Sequence, residues 1–542
     1  MIAPNYPPEK QKSAMPKRPN VIWVLADQLR AQALSCNGET NICTPNIDQL
    51  AMRGVNFTAA VSGYPLCCPY RGSMLTGLYP NHCTPGHDKG LPPEQKTIAH
   101  VLHDAGYHTA YFGKWHLDAE GAAAAIRPNR EVFHIVKPEH RGGFDYWLGY
   151  ENNNEPWDCY VHGTNSDCTR LPGFETDALT DKLIRYLEQP KDQPFFAVLS
   201  VFPPHNPYLA PEQFAEGLCA ENIKLRSNVP NVPWVKQQAQ RELAGYYAMV
   251  RNLDWNVGRL VQALDKLNLA DDTYIVFFSD HGDMHGSHGW FRKTNPYEES
   301  CRVPFIISTG HSCMYSVAPG LLYGANNACL CDAPLNHVDV APTTLGLCGV
   351  AVPDWMQGYD YSGYVTGKPL PPQEPDSAYL QCNEVTGHLN STAEPWRGIV
   401  TREGWKYVAL PGEPWMLFNL KDDPYEQMNM AQITNYREIL ADLNERLQAW
   451  IDKTGDDFTL PKIEVPHIRK SRRCPLRQHP QRLRSGRLWP GLPHSRGSWG
   501  GWTAILFLWC AHILRCGRRN RHPPPGAQTA GQCFCQCRGQ RW

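Results

Sequence analysis

Apolar and polar positions along the chain follow two periods. Unbroken apolar runs occur at Val21-Ile22-Trp23-Val24-Leu25, at 195–201 and at 274–278, and 109–112 reads as a further strand. A strand that is apolar at every position has no solvated face, so these runs predict a parallel sheet covered on both sides. Between them, helical spacing predicts helices over 97–105, 176–188 and 240–267, the first stopping at Gly106. Alternating strands and helices across 19–377 predict an α/β unit. The pattern changes over 378–464. There 397–401, 406–410 and 415–420 read as an antiparallel meander punctuated by Gly404 and Gly412. A helix over 435–453 follows, with Ile439, Leu440, Leu443, Leu447 and Trp450 on one face. The prediction is a large, mostly parallel sheet flanked by helices, plus a smaller C-terminal antiparallel sheet with one packed helix.

Composition changes this picture little, but charge divides it. The 542 residues are 42% hydrophobic, which excludes a wholly disordered, collagenous or coiled-coil chain and predicts two or more domains. The net charge of −1 conceals opposed segments: 1–464 hold 37 basic and 53 acidic residues, whereas 465–542 hold 15 Lys and Arg and no Asp or Glu. That last segment, without periodicity, reads as a disordered or non-native tail in preference to a basic tail for nucleic acid or membrane. Its Cys533-Phe534-Cys535-Gln536-Cys537 lacks zinc-ligand spacing. Residues 1–18 read as a disordered polar segment without a secretory apolar run. The longest late apolar stretch, 502–514, has 13 residues against the roughly 20 of a membrane span. These features predict a cytoplasmic protein whose 20 Cys are reduced and whose sequons at Asn56 and Asn390 are unused.

In doubly wound sheets ligands gather beyond the carboxyl ends of the strands. Asp27 and Gln28 follow the first run, and Ser279-Asp280-His281-Gly282-Asp283 follows 274–278. Gly113-Lys114-Trp115-His116 follows 109–112, and Phe202-Pro203-Pro204-His205-Asn206-Pro207-Tyr208 follows 195–201. Any one such Asp alone is a turn or helix cap. Together, Asp27, Gln28, Asp280 and His281 offer oxygen donors and one imidazole, a set suited to a hard divalent cation, Ca2+ or Mg2+. Lys114 and His116, two apart in extended chain, face the same way and present two cations to an anion; a solvated Lys beside a packed His is the equal alternative. The polar run 151–155, between Trp147, Tyr150 and Trp157, is either a pocket wall for a hydroxylated alcohol or an ordinary surface turn. Glu384 and His388 are weaker candidates near the mouth.

The sharpest string is Cys67-Cys68-Pro69-Tyr70-Arg71-Gly72-Ser73-Met74-Leu75-Thr76-Gly77. Two buried thiols ahead of a helix opened by Pro69 would explain Cys-Cys alone. They do not explain this string upstream of the other turns. Cys67-x-Pro69-x-Arg71 with Leu75-Thr76-Gly77, followed in order by the three later turns, resembles the type I sulfatases, formylglycine-dependent enzymes of the alkaline-phosphatase-like superfamily. His288-Gly289, Lys293, Tyr297-Glu298, Arg302-Val303-Pro304 and Leu417-Phe418-Asn419-Leu420-x-x-Asp423-Pro424-x-Glu426 extend the resemblance, which spans about 18–455.

The resemblance implies hydrolysis of sulfate monoesters to alcohol and inorganic sulfate. It implies that a formylglycine-generating enzyme oxidises Cys67 to an aldehyde, hydrated to a gem-diol. One hydroxyl attacks sulfur in line and the second expels sulfate, an exit that a plain Ser or Cys lacks. Residue by residue, Asp27, Gln28, Asp280 and His281, with matured Cys67, would hold one divalent metal, Ca2+ before Mg2+ or Mn2+. Arg71 and His116 would orient and help deprotonate the gem-diol. Lys114, His205 and Lys293 would grip sulfate oxygens, with His205 or Lys293 as proton donor to the leaving oxygen.

Three positions depart from the common pattern. Gln28 stands where many sulfatases have Asp, His281 where they have Asn, and Tyr70 where Ser or Ala is common. Relatives that hydrolyse phosphonate monoesters or choline sulfate look similar at the first two. The alternatives are therefore a phosphonate monoester or phosphodiester hydrolase of the same superfamily, or an unmodified anion-binding pseudo-sulfatase. Expected partners are a small-molecule or carbohydrate sulfate ester and the maturation enzyme, with neither nucleic acid nor membrane; oligomeric state is left open.

Overall fold

The computed structural model describes residues 18–87, 89–118, 134–163, 167–308, 322–323, 329–386 and 391–465. The tail beyond 465, the segment 1–17 and His388 lie outside the described residues. In chain order the strands of the large sheet are β1 (Asn20–Ala26), β2 (Gly54–Phe57), β3 (His108–Lys114), β4 (Tyr146–Tyr150), β5 (Tyr160–His162) and β6 (Cys168–Arg170). They continue with β7 (Phe195–Val201), β8 (Thr273–Ser279), β9 (Phe305–Ser308), β10 (Leu322–Tyr323) and β11 (Cys329–Cys331). Their spatial order is β10-β11-β2-β9-β8-β1-β7-β3-β4-β5-β6. The central block β8-β1-β7-β3-β4 is parallel throughout, and antiparallel pairs such as β8–β9 and β4–β5 extend it on both sides.

The apolar runs are these central strands, and side-chain alternation buries both of their faces. Val21, Trp23 and Leu25 enter one core with Phe196, Val198, Val276 and Phe278. Ile22, Val24 and Ala26 enter the other with Ala197, Leu199, Ile275 and Phe277. The helix expected over 97–105 is Ile98–Asp104, capped by the Thr97 side chain, and that over 176–188 is Glu175–Leu187. The third helix outruns its pattern. Pro233–Lys266 is 34 residues long, because Pro233 in the first turn needs no N–H partner and already holds a helical φ. Strands β2, β5, β6, β9 and β11 have only three or four residues each, too few to display a period.

A second sheet of four strands is separate: β12 (Ser377–Cys382), β13 (Trp396–Thr401), β14 (Trp405–Leu410) and β15 (Glu413–Asn419), antiparallel in sequence order. Tyr379, Ile399, Tyr407 and Leu417 on one face pack against Leu440, Leu443, Leu447 and Ile451 of the helix Arg437–Thr454. Leu380, Val400, Val408 and Met416 on the other face pack against Val61, Tyr64 and Leu66. Those last three residues lead directly into the helix Cys67–Thr76, so the small sheet braces the approach to Cys67. Every described cysteine is free, and among the described residues no helix is long and apolar enough to cross a membrane.

Candidate active site

Adjacent parallel strands open their carboxyl ends on one side. The register pairs Ala26 of β1 with Ser279 of β8 and Val201 of β7, and Gly113 of β3 with Ser200 of β7. The four turns that follow therefore converge. Cys67 begins its helix, with Leu66 as N-cap, at the positive end of the helix dipole. Gln28 (φ 66°) and His116 (φ 56°) adopt the left-handed region, a strain that side-chain-bearing residues accept where the surroundings enforce it. Just before Lys114, Gly113 has φ +101°, and a Cβ there would lie 2.0 Å from the Ser200 carbonyl oxygen, so only Gly lets the chain turn against β7.

Asp27, Cys67, Asp280 and His281 are buried, and one donor atom of each lies within 4.8 Å of all the others. His281 Nε2 is 3.1 Å from Cys67 Sγ, 3.6 Å from Asp27 Oδ1 and 3.7 Å from Asp280 Oδ1. Nδ1 is 3.0 Å from the Gly282 carbonyl, to which it donates, so Nε2 is the ring nitrogen that faces the cluster. Gln28 Nε2 donates to Asp283 Oδ2 at 2.6 Å, which turns Oε1 toward Lys293 Nζ, 3.1 Å away. Two carboxylates, an amide oxygen and an imidazole nitrogen are donor types that fit a hard divalent cation.

Cations surround this donor set. Arg71 Nη2 lies 3.1 Å from Asp27 Oδ2 and 3.1 Å from Asp280 Oδ2, while Nη1 donates to Ser200 Oγ at 2.8 Å. Lys114 Nζ is 2.8 Å from Asp27 Oδ2. Lys293 Nζ is 3.4 Å from Cys67 Sγ and donates to His205 Nε2 at 3.0 Å. His205 Nδ1 in turn donates to the Asn206 carbonyl at 2.7 Å, which leaves Nε2 as the acceptor. Two carboxylates among three cationic side chains leave an excess of positive charge, so the centre favours an anion.

The electrostatics follow from that crowding. Burial works against the Asp27 carboxylate, but Lys114, His205, Arg71 and Lys293 hold it well below the usual range. Burial and Asp27 push the Cys67 thiol up; Lys293, Lys114 and His281 outweigh them and hold it below an ordinary cysteine. Burial, then Lys114, His87 and Arg71, keep His116 neutral, and its buried Nδ1 has no partner among the described residues. Burial and Lys293 likewise keep His205 neutral.

The ten residues that the resemblance assigns to catalysis or the metal thus meet at one place. A family model described as "Sulfatase" matches residues 19–350, and a second, "N-sulphoglucosamine sulphohydrolase, C-terminal", matches 286–453. The chain is 34% identical over 455 residues to an ulvan-active sulfatase of Formosa agariphila, covering 82% of this chain and 83% of that protein.

The chain belongs to the sulfatase family.

It is 27% identical to an N-acetylglucosamine-6-O-sulfatase of Bacteroides thetaiotaomicron, over 83% of this chain and 89% of the relative. A B. thetaiotaomicron structure solved in work on the metabolism of multiple glycosaminoglycans superposes with a TM-score of 0.70 at 25% identity, covering 81% of this chain and 97% of that one. This sulfatase also uses residues that its sequence did not single out. Ser200 anchors Arg71 but sits inside an apolar run, and Asp283 orients Gln28 from within a recognised string. The run 151–155 braces the turn after β3: the Glu151 carboxylate accepts the N–H groups of Leu117 and Asp118, and its carbonyl accepts that of His116.

Proposed function

We propose that this sulfatase hydrolyses a sulfate monoester of a carbohydrate, with Cys67 matured to formylglycine and one divalent cation, Ca2+ in preference to Mg2+ or Mn2+, held by Asp27, Gln28, Asp280, His281 and residue 67. One observation carries the reading: Cys67, at a helix N-terminus, shares a buried centre with that donor set and with Arg71, Lys114 and Lys293. Two relatives named for action on ulvan and on N-acetylglucosamine 6-O-sulfate support a sugar as the alcohol half. When present, the cation supplies Lewis-acid charge and the hydrated aldehyde supplies one hydroxyl to attack sulfur and another to expel sulfate.

The chain's own side chains do the rest. Arg71 and Lys114 fix the Asp27 carboxylate and present positive charge to the sulfate oxygens. His116, neutral, takes a proton from residue 67. Lys293 bears the proton of the Lys293–His205 pair, and that pair delivers it to the leaving oxygen. Gln28 and His281 stand where many sulfatases have Asp and Asn, and they favour one second reading, a phosphonate monoester hydrolase.

Mass spectrometry of the tryptic peptide 54–71 from native-host protein, paired with rates on aryl sulfate and aryl phosphonate, tests both readings. The expected result is residue 67 as aldehyde or hydrate, with sulfate turned over faster than phosphonate. A plain thiol in active protein overturns the formylglycine route. A higher phosphonate rate overturns the choice of ester.

A further inference from the structure

After the helix Cys67–Thr76 the chain returns to the site through Pro85, Gly86 and His87. The His87 ring stands nearly perpendicular to that of His116, centroids 5.7 Å apart, and its Nδ1 lies 3.9 Å from Cys68 Sγ. Burial, then the charges of Lys293, Lys114 and His281, pushes the His87 imidazole down to about 4, so it is neutral at ordinary pH. Lys114, Lys293, His116 and His281 are at most 9% exposed, whereas His87 is half-buried. His87 therefore lies toward solvent from the cations that favour an anion, as half-buried His205 does beside Lys293. A substrate whose sulfate reaches those cations leaves its alcohol half at the level of these two rings.

The second sheet holds His87 in place. Glu384 Oε1 accepts the His87 backbone N–H at 3.1 Å, and Asn383 Nδ2 donates to the Pro85 carbonyl at 3.2 Å. Gly86 leaves room for this clasp, since a Cβ there would sit 1.9 Å from Glu384 Oε1 and displace the carboxylate. Both clasping residues directly follow β12.

We propose that His87 contacts the alcohol half of the substrate, hydrogen-bonding a sugar hydroxyl next to the sulfate ester, and that Glu384 is its positioning residue. This rests on the carbohydrate sulfatase reading above. A hydroxyl can accept from or donate to a neutral imidazole nitrogen; sulfate oxygens, which only accept, are served by the ammonium and guanidinium groups deeper in.

The test uses the full-length matured enzyme and five forms: wild type, His87→Ala, His87→Gln, Glu384→Ala and Glu384→Gln. Each is assayed for kcat and KM on 4-nitrophenyl sulfate and on a panel of O-sulfated hexoses, hexosamines and deoxyhexoses. For the sugar that wild type prefers, His87→Ala should lower the ratio of sugar to aryl kcat/KM about tenfold, mainly through KM. His87→Gln, which keeps a donor and an acceptor, should restore part of the ratio. Glu384→Ala should reproduce the loss, and Glu384→Gln, which keeps an acceptor oxygen, should hold the wild-type ratio. Equal losses on sugar and aryl esters, or an unchanged ratio in His87→Ala, overturn the inference alone. A wild type that cleaves aryl sulfate and no sugar sulfate removes the carbohydrate reading and this inference together. A wild type inactive on every sulfate ester removes the sulfatase route itself.

Discussion

Lys114 is 1% exposed and ends β3, with Nζ against Asp27 and its own carbonyl accepting from Arg71 and Ser200. Lys114→Ala would strand part of a buried carboxylate and remove one charge from the anion site. A fall in kcat/KM of about 100- to 1,000-fold is expected, the scale seen when one preorganised electrostatic group is lost. Steady-state kinetics on an aryl sulfate check it, and wild-type values would show that Lys114 is not an anion ligand. Cys67→Ala should leave the fold intact and abolish turnover, because it removes only the precursor of the nucleophile; activity comparable to wild type would defeat the formylglycine route. Cys67, Asp27 and Lys114 were legible in the sequence because each sits in a turn or string whose residue types have little other purpose together. Ser200 was not. Its hydroxyl gains meaning only when the β3–β7 register brings it beside Arg71, and an apolar run offers no sign of that.

Among the elements, the long ones were legible and the short ones were not. β1, β7 and β8 span seven residues each and announce two buried faces, whereas β5, β6 and β11 span three and owe their existence to the edge they extend. The start of the helix Pro233–Lys266 was missed for a related reason: its first turns carry Lys236, Gln237 and Gln238, with little apolar periodicity to read. The helix Arg437–Thr454 was legible from its stripe, and Leu443, 1% exposed, sits in the middle of it against the small sheet. Leu443→Ala should cost about 2–4 kcal/mol, the range for a leucine removed from a closed core. Denaturant unfolding followed by tryptophan fluorescence measures that cost, and a loss below about 1 kcal/mol would mean that the helix is not part of the core. The opposite face of the same sheet packs on Tyr64 and Leu66, so loss of activity should track loss of this element.

For the molecule as a whole, buried titratable groups set the response to pH. Burial pushes Asp339 and Glu175 up to about 7, and it pushes His285 and His337 down to about 3. The two carboxyls stay protonated in the folded protein at pH values where the unfolded chain has lost those protons. Their contribution to stability therefore declines as pH rises from about 4 to about 7. The two histidines are neutral when folded and protonated when unfolded below about 6.5, so theirs declines as pH falls from there toward 3. The neutral form of His337 also makes a hydrogen bond: its Nδ1 accepts the Gly63 N–H at 2.9 Å, a bond that protonation would break. Glu299 adds to the acid side. Burial opposes it, but Arg226, with Nε 2.6 Å from its carboxylate, and Asn228 hold it down to about 2. The stability that Glu299 contributes is present above about 4.5 and is lost as pH falls toward 2. Between about 4.5 and 6.5 the carboxyl and histidine contributions oppose each other; outside that window one set acts alone. The melting temperature should therefore fall steeply below about 4.5, and Asp339 and Glu175 should make it fall again as pH rises toward 7. Thermal scans at constant ionic strength from pH 3 to 9 measure this profile. Asp339→Asn, which removes one titrating carboxyl, should flatten the limb above 6.5 without moving the acid limb. A melting temperature that climbs steadily from pH 5 to 9, or an Asp339→Asn profile parallel to wild type, would show that these buried carboxyls do not hold their protons in the folded state.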